Sequence, residues 1–457
     1  MRKLIFAILI LIFNSIYSQV DSNLIVTSIS ISGNKVTKEK IVIRELLFNI
    51  GDTINKQNLD SLTVLNKENL VNTSLFNFVT ITNNIEGSNL IVNIDLIERW
   101  YIWPIPILEH ADRNLSSFIY NKDWSRVNYG MFLAIENFRG RKESLRFKAR
   151  IGYKEHYGVA YDIPGLDKNQ KHGIGAEVSY FRQKETPYKT ENNQLVYYRD
   201  FSTYSKYHTR ISLRYRYRKD IYNYHMIRLQ YNNAIVSDSI VIKNANYLGD
   251  SSRTLQYMRL QYAYTLDRRD IRYYPLSGYY FNASVNNKGL IFGETNITEL
   301  EGNFRWYQPL FSRFYYGQKA AFKIANDYNQ EYFLVEGFGY ENNIRGYEYY
   351  VIDGNNYVIF NNNLKFELLQ KKVFNIPGVP WSQFKKSFLA IYLNAYFDIG
   401  YVDNKYTYQN NSMTNSWQYG YGLGIDFVTY YDMVFRIEYS LTKYNQKGIY
   451  IHMSAAF

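Results

Sequence analysis

Residues 207–218 read Y-H-T-R-I-S-L-R-Y-R-Y-R, and no other stretch limits the fold of this chain as sharply. Tyr207, Ile211, Leu213, Tyr215 and Tyr217 fall on one parity; His208, Arg210, Arg214, Arg216 and Arg218 fall on the other. A period of two sustained over that length specifies a strand with one apolar and one cationic face. S144-L-R-F-K-A-R-I-G-Y153, M433-V-F-R-I-E-Y439 and I449-Y-I-H-M-S-A-A-F457 follow the same pattern. A soluble sandwich buries such an apolar face and wets the other. A membrane barrel does the reverse, with lipid outside and a polar lumen within. The length of the segments, the charge crowded on one face and the aromatic segment ends favour the barrel.

Composition supports that choice. Aromatics make up 18% of the 457 residues, 48 of which are tyrosine, yet no later stretch supplies the apolar run a membrane helix needs. The first residues, M1-R-K-L-I-F-A-I-L-I-L-I-F-N-S-I-Y-S-Q19, place two cations before a short apolar run, the pattern of a secretory signal peptide over residues 1–18. With no cysteine, there is neither a lipid-attached N-terminus nor a disulfide framework. The net charge of +12 is spread over many segments, so nucleic acid is not expected as a partner.

Residues 20–98 read differently. L24-I-V-T-S-I-S-I31 alternates, Thr37 to Phe48 and Asn55 to Leu70 carry helical spacing, and L75-F-N-F-V-T-I81 and L90-I-V-N-I-D-L96 read as strands around the turn E86-G-S88. The order β-α-α-β-β buries one sheet face under two helices. Residues 99–457 then supply the strands. At roughly twenty-two residues per strand and connection they close about sixteen, an even number. The expected fold is mainly β: a transmembrane antiparallel barrel of about 16 strands preceded by one small periplasmic domain.

Catalytic constellations are not expected. The six histidines are scattered without metal-ligand spacing, and no G-x-S-x-G elbow occurs. Neither enzyme activity, cofactor nor metal is predicted. The stretch E341-N-N-I-R-G-Y-E-Y-Y350 breaks the alternation instead. Gly346 permits close backbone approach or positive φ beside Arg345, whose rigid fork suits carboxylates on a barrel wall. Strand parity nominates the acids. Asp398 turns inward with Asn394 and Tyr396 and is the first expected partner; Glu367, sharing a face with Lys365, is the second. Asp426 also faces inward. In Y264-T-L-D-R-R-D-I-R-Y-Y-P-L-S-G-Y-Y280, Asp267, Arg269 and Asp270 precede Pro275 and Gly278, a charged turn between two strands.

These residues resemble the Omp85 superfamily of outer-membrane proteins. I344-R-G-Y347 looks like the family's V/I-R-G-F/Y loop tip, L266-D-R-R-D-I-R-Y-Y-P-L-S-G278 its strand-turn-strand, and F397-D-I-G400 its F-x-D-x-G segment. The first domain resembles a single POTRA unit, and the strand ending in Phe457 resembles the family's terminal assembly signal. The resemblance implies an outer-membrane location with the POTRA-like unit in the periplasm. It implies a lumenal loop whose Arg345 pairs with Asp398, and non-enzymatic insertion, assembly or translocation of polypeptides captured through the POTRA-like unit and a seam between first and last strands, here expected between Val127–Phe138 and Tyr450–Phe457. Expected partners are outer-membrane lipid, unfolded or exported polypeptide clients, and periplasmic chaperones or outer-membrane lipoproteins. The alternatives are a polypeptide secretion transporter, an accessory or structural barrel, and a passive porin. Two features depart from the family. There is one POTRA-like unit, and Lys365 stands where the pattern puts an acid.

Overall fold

The computed structural model of the protein describes residues 23–110, 127–200, 202–293, 295–327, 330–405 and 411–453. The expected signal peptide and Phe457 lie outside them. The first domain runs β1 (Asn23–Ser32), α1 (Glu39–Ile43), β2 (Thr53–Asn55), α2 (Leu59–Val71), β3 (Phe76–Glu86) and β4 (Asn89–Glu98). Its sheet order is β2-β1-β4-β3, with β1 and β4 parallel. Leu24, Val26, Ile41, Leu70, Leu90 and Val92 form its core. The short strand β2 interrupts what reads as a plain β-α-α-β-β. The first helix is also shorter than its spacing implies, ending at Ile43, while Leu46 and Phe48 are still buried by the turns that follow.

The remaining strands are β5 (Ile102–His110), β6 (Val127–Phe138), β7 (Glu143–Gly152), β8 (Lys154–Ile163), β9 (His172–Gln183), β10 (Glu185–Glu191), β11 (Gln194–Arg199), β12 (Lys206–Arg218), β13 (Asn223–Val236), β14 (Thr254–Asp267), β15 (Gly278–Gly293), β16 (Ile297–Phe311), β17 (Phe314–Ala325), β18 (Asn356–Asn375), β19 (Lys386–Asp403), β20 (Gln418–Thr429), β21 (Val434–Thr442) and β22 (Lys447–Met453). All but β10 and β11 join one 16-stranded antiparallel sheet, each strand beside its neighbour in sequence apart from the step from β9 to β12. The excluded pair is a hairpin turned at Asn192-Asn193, both at positive φ, a connection matched to strand twist. No described helix is long and apolar enough to cross a membrane.

The sheet is inside out by the standard of soluble proteins. On β20, Leu423 is 65% exposed while Asp426 is fully buried, and on β19 Phe397 is 45% exposed beside a fully buried Asp398. Burying ionised groups while exposing leucine is costly in water and favourable in hydrocarbon, so the surface pattern specifies an apolar solvent.

The two ends of the sheet approach one another. Trp103 of β5 packs edge-on against Tyr431, in the turn between β20 and β21, with ring centroids 5.2 Å apart. The first domain meets turns along almost the whole sheet. The Lys38 amide donates to Gly140 O, Arg44 Nη1 to Gln170 and Asn72 Nδ2 to Asp270 O; Arg218 grips Glu45, Asn77 reaches Gln383 O, and Arg99 grips Asp432. One small domain touching turns from next to the first strand to next to the last requires the sheet to curl around it.

One sequence expectation is corrected here. The sheet begins at β5, not at Val127–Phe138, which pairs with β5 as the second strand. Pro104 and Pro106 make W-P-I-P-I read as a linker, because proline cannot donate within a ladder; at a sheet edge that objection disappears.

Candidate functional site

The connection from β17 to β18 spans thirty residues (326–355) and folds onto the polar face of the sheet. Its tip, Ile344-Arg-Gly-Tyr347, is buried throughout. Ile344, Phe338, Tyr347 and Ile352 form a cluster with Ile359 of β18 and Val402 of β19. Gly346 adopts φ +96°, which favours glycine, and its amide donates to Glu348. The wall is built to receive the tip: a Cβ at Gly420 would lie 2.0 Å from Arg345 O, and one at Gly400 would lie 2.6 Å from the Phe338 ring. The bare backbone of β19 and β20 is what lets the loop lie flat on them.

Arg345 is held on all sides. Its Nε donates to Asp398 Oδ2 at 2.8 Å and its Nη2 to Asp398 Oδ1 at 2.6 Å, and its own backbone amide donates to the same carboxylate. Nη1 donates to Asn363 Oδ1 at 2.6 Å and to Glu438 Oε1 at 3.3 Å. The guanidinium lies 3.8 Å from the centre of the Tyr396 ring. This two-bond geometry is the strong, directional form of the arginine–carboxylate contact.

Glu367 is not part of this arrangement. It is half-buried further along β18 and accepts from Tyr392 Oη at 3.2 Å. The second carboxylate is Glu438 of β21, three strands from Glu367. Sequence parity marks Glu438 as polar-facing, but only the sheet's curvature shows which inward acid lies over the loop tip.

The cluster extends beyond the tip. Arg436 Nε binds Asp426 at 2.8 Å and lies 3.7 Å from Glu438, joining the two acids. Asp426 also accepts from Asn394 and from Tyr274 Oη. Lys365 Nζ is 4.0 Å from the Tyr274 ring centre and has no hydrogen-bond partner among the described residues. Three carboxylates, Asp398, Asp426 and Glu438, therefore share two arginines, Arg345 and Arg436. Buried charges persist only where compensated in this way. Lys365, which stands where the family pattern puts an acid, packs on the Tyr274 ring beside this cluster.

The strand-turn-strand motif supplies Tyr274. Asp267 binds Arg269 at 2.8 Å and Arg272 at 3.0 Å. Asp270 takes no part in that pairing and instead accepts the Leu276 amide, closing the turn that holds Pro275. Gly278 opens β15 at φ +90°. The turn also meets the first domain, where Asn72 Oδ1 accepts the Arg272 amide. Sequence reading assigns this segment only a turn, and its two outward attachments were not visible in local pattern.

Where the first domain meets the sheet, Glu45 is clasped by Arg218 and Arg44; burial pushes its carboxyl up, but the charges of Arg218, Lys142 and Arg44 outweigh that and hold it well below the usual range. Glu98 ties the end of β4 to the amides of Val36 and Thr37. At the other end of the sheet, Thr190 of the β10–β11 hairpin bonds Tyr332 and the Val351 amide donates to Asn193 O, so the hairpin lies across the long loop. Among the described residues no group of histidine, aspartate and glutamate is arranged to hold a metal. What the site does is hold a loop against a wall with charge.

Known proteins share this architecture. Residues 137–454 match the Omp85 superfamily domain, and residues 24–99 match the POTRA family, described as a surface antigen variable number repeat. Among solved structures, BamA from Haemophilus ducreyi lacking POTRA domains 1–3 is 14% identical, with 94% of this chain and 83% of that one covered and a TM-score of 0.51. CdiB from Escherichia coli is 11% identical, covering 95% of this chain and 76% of that one at a TM-score of 0.55. At such identities the likeness is one of fold. No curated protein sequence matches the chain. The chain belongs to the Omp85 superfamily.

Proposed function

We propose that this protein is an outer-membrane barrel that takes exported polypeptides in the periplasm and delivers them into or across the membrane, without covalent chemistry. The observation that carries the reading is the pairing of two features. A sheet with an apolar exterior is docked to a small domain whose strand β3 has an unpaired edge among the described residues. The start of β3 is fixed to the rim through Asn77 and Phe78, while the edge from Ile81 to Ile85 stays clear. Such an edge captures an extended peptide by strand addition, main chain to main chain, with little demand on sequence.

In this reading the 16 strands close into a barrel and the polar face becomes the lumen. The Arg345 loop occupies that lumen, the β10–β11 hairpin lies over it, and the POTRA-like domain spans the periplasmic mouth. A passive porin is disfavoured, because a porin keeps its lumen open. Secretion through the lumen requires release of the loop, whereas delivery into the membrane requires parting of the wall between β5 and β22.

Site-specific photo-crosslinking tests the capture step. A crosslinker placed at residues 81–85 is expected to trap exported polypeptides in living cells, while one on the opposite edge strand, β2, is not. Equal trapping at both, or none at either, removes β3 as the capture edge.

A further inference from the structure

Between the first domain and the sheet lies a cavity of about 220 Å³ whose charged groups are almost all cations. They reach it from four separate segments. Arg44 follows α1, Lys142 lies in the turn between β6 and β7, Arg216 and Arg218 end β12, and Arg272 lies in the turn between β14 and β15. Glu45 is the one carboxylate among the described residues that line the cavity. Like charges gathered in a partly enclosed space repel strongly, because little water is present to screen them. Five cations in one hollow call for negative charge in return.

The nearby acids do not supply it. Glu45 is taken up by Arg218 at 2.5 Å and Arg44 at 2.9 Å. Asp267 binds Arg269 and Arg272 together, and Asp220, in the turn after β12, accepts the amides of Tyr222 and Asn223. Lys142 and Arg216 are left over. Neither forms an ion pair among the described residues, and the buried Nε of Arg216 has no hydrogen-bond partner among them. The Arg216 guanidinium lies 6.0 Å from the centre of the Tyr224 ring, the outer limit of a cation–π contact. Burial pushes the Lys142 ammonium down to about 7; Glu45 opposes the fall, while Arg44, Arg218 and Arg272 add to it.

We propose that this cavity is a binding site for a phosphate group, free or carried on a lipid headgroup, held by Lys142 and Arg216 and flanked by Arg44, Arg218 and Arg272. An ammonium and a guanidinium facing one hollow match the charge and the acceptor oxygens of such a group. Phosphate suits the site better than a carboxylate, because its three terminal oxygens can meet donors arriving from several segments at once. Arg44 belongs to the first domain and the other four cations to the sheet and its turns, so the bound group ties the domain to the rim. The inference rests on the docking of the first domain against the sheet, not on closure of the barrel or on the nature of its passengers.

Calorimetric titration of inorganic phosphate into the full-length protein, held in a maltoside detergent that carries no phosphate, tests it. One saturable site is expected, together with a rise in unfolding temperature that chloride or acetate at equal ionic strength does not reproduce. Lys142→Met combined with Arg216→Met is expected to weaken binding by about tenfold or more. Lys148→Gln, a change on β7 away from the cavity, is expected to leave it unchanged. Without phosphate the double variant is expected to unfold no lower than the wild type, because it sheds unpaired charge. Lipid extracted from the purified protein separates the two sources. A phospholipid retained by the wild type and not by the double variant identifies a headgroup, whereas phosphate binding without retained lipid identifies the free anion. Absence of both would overturn the proposal, as would binding that the double variant keeps or that acetate reproduces. A double variant that unfolds lower without phosphate would also overturn it, by giving the two cations a role in the fold itself.

Discussion

At the residue scale, the loop tip depends on Arg345 and Asp398 together. Removing one member of a buried pair leaves a charge without compensation, which costs about 3–5 kcal/mol. Arg345→Met and Asp398→Asn are each expected to lower the temperature at which the protein unfolds in detergent, and the double variant is expected to lose no more than the worse single one. Losses that simply add would show that the two residues act independently. A charge swap, Arg345→Glu with Asp398→Arg, is expected to rescue only in part, because Glu438 then faces a second carboxylate at 345 and Arg436 is already committed to Asp426. Parity within one strand identifies Asp398 as inward, and that much is legible in sequence. Choosing Glu438 over Glu367 requires knowing that β21 and the loop tip converge, which depends on curvature summed over several strands.

At the scale of elements, long alternating strands are the most legible part of the chain because a period of two has one structural reading. Two elements escape it for definite reasons. β5 is disguised by prolines that only an edge tolerates, and the β10–β11 hairpin alternates like the wall strands yet lies outside the main sheet. Helix α2 adds a pH dependence that pattern could not foresee. Glu68 on α2 is half-buried near Asp270, and its carboxyl is pushed up to about 7, first by burial and then by that neighbouring charge. An acid whose folded pKa is raised above its unfolded value of about 4.3 weakens the fold as pH rises between the two. The penalty is absent below that window and fully present above about pH 7. Glu68→Gln should therefore raise the unfolding temperature at pH 8 by on the order of 2 °C, given the partial exposure, and leave it unchanged at pH 4. An equal rise at both pH values would mean that packing, not charge, is responsible.

At the scale of the whole molecule, the first domain is anchored to five connections of the curled sheet and to the end of β12, and an arginine-held loop lies on the sheet's polar face. In the proposed reading the sheet closes into a barrel that rests shut, and such a barrel with an unpaired edge on its POTRA-like domain is organised for passage by rearrangement rather than for free diffusion. The central claim is that the passengers are polypeptides. The most direct measurement is quantitative proteomics of the outer membrane, periplasm and medium after the protein is depleted from cells. The account predicts that particular polypeptides disappear from the outer membrane or the medium and accumulate in, or are degraded from, the periplasm. Unchanged protein distribution, accompanied by slower uptake of small solutes, would contradict it and identify a passive pore.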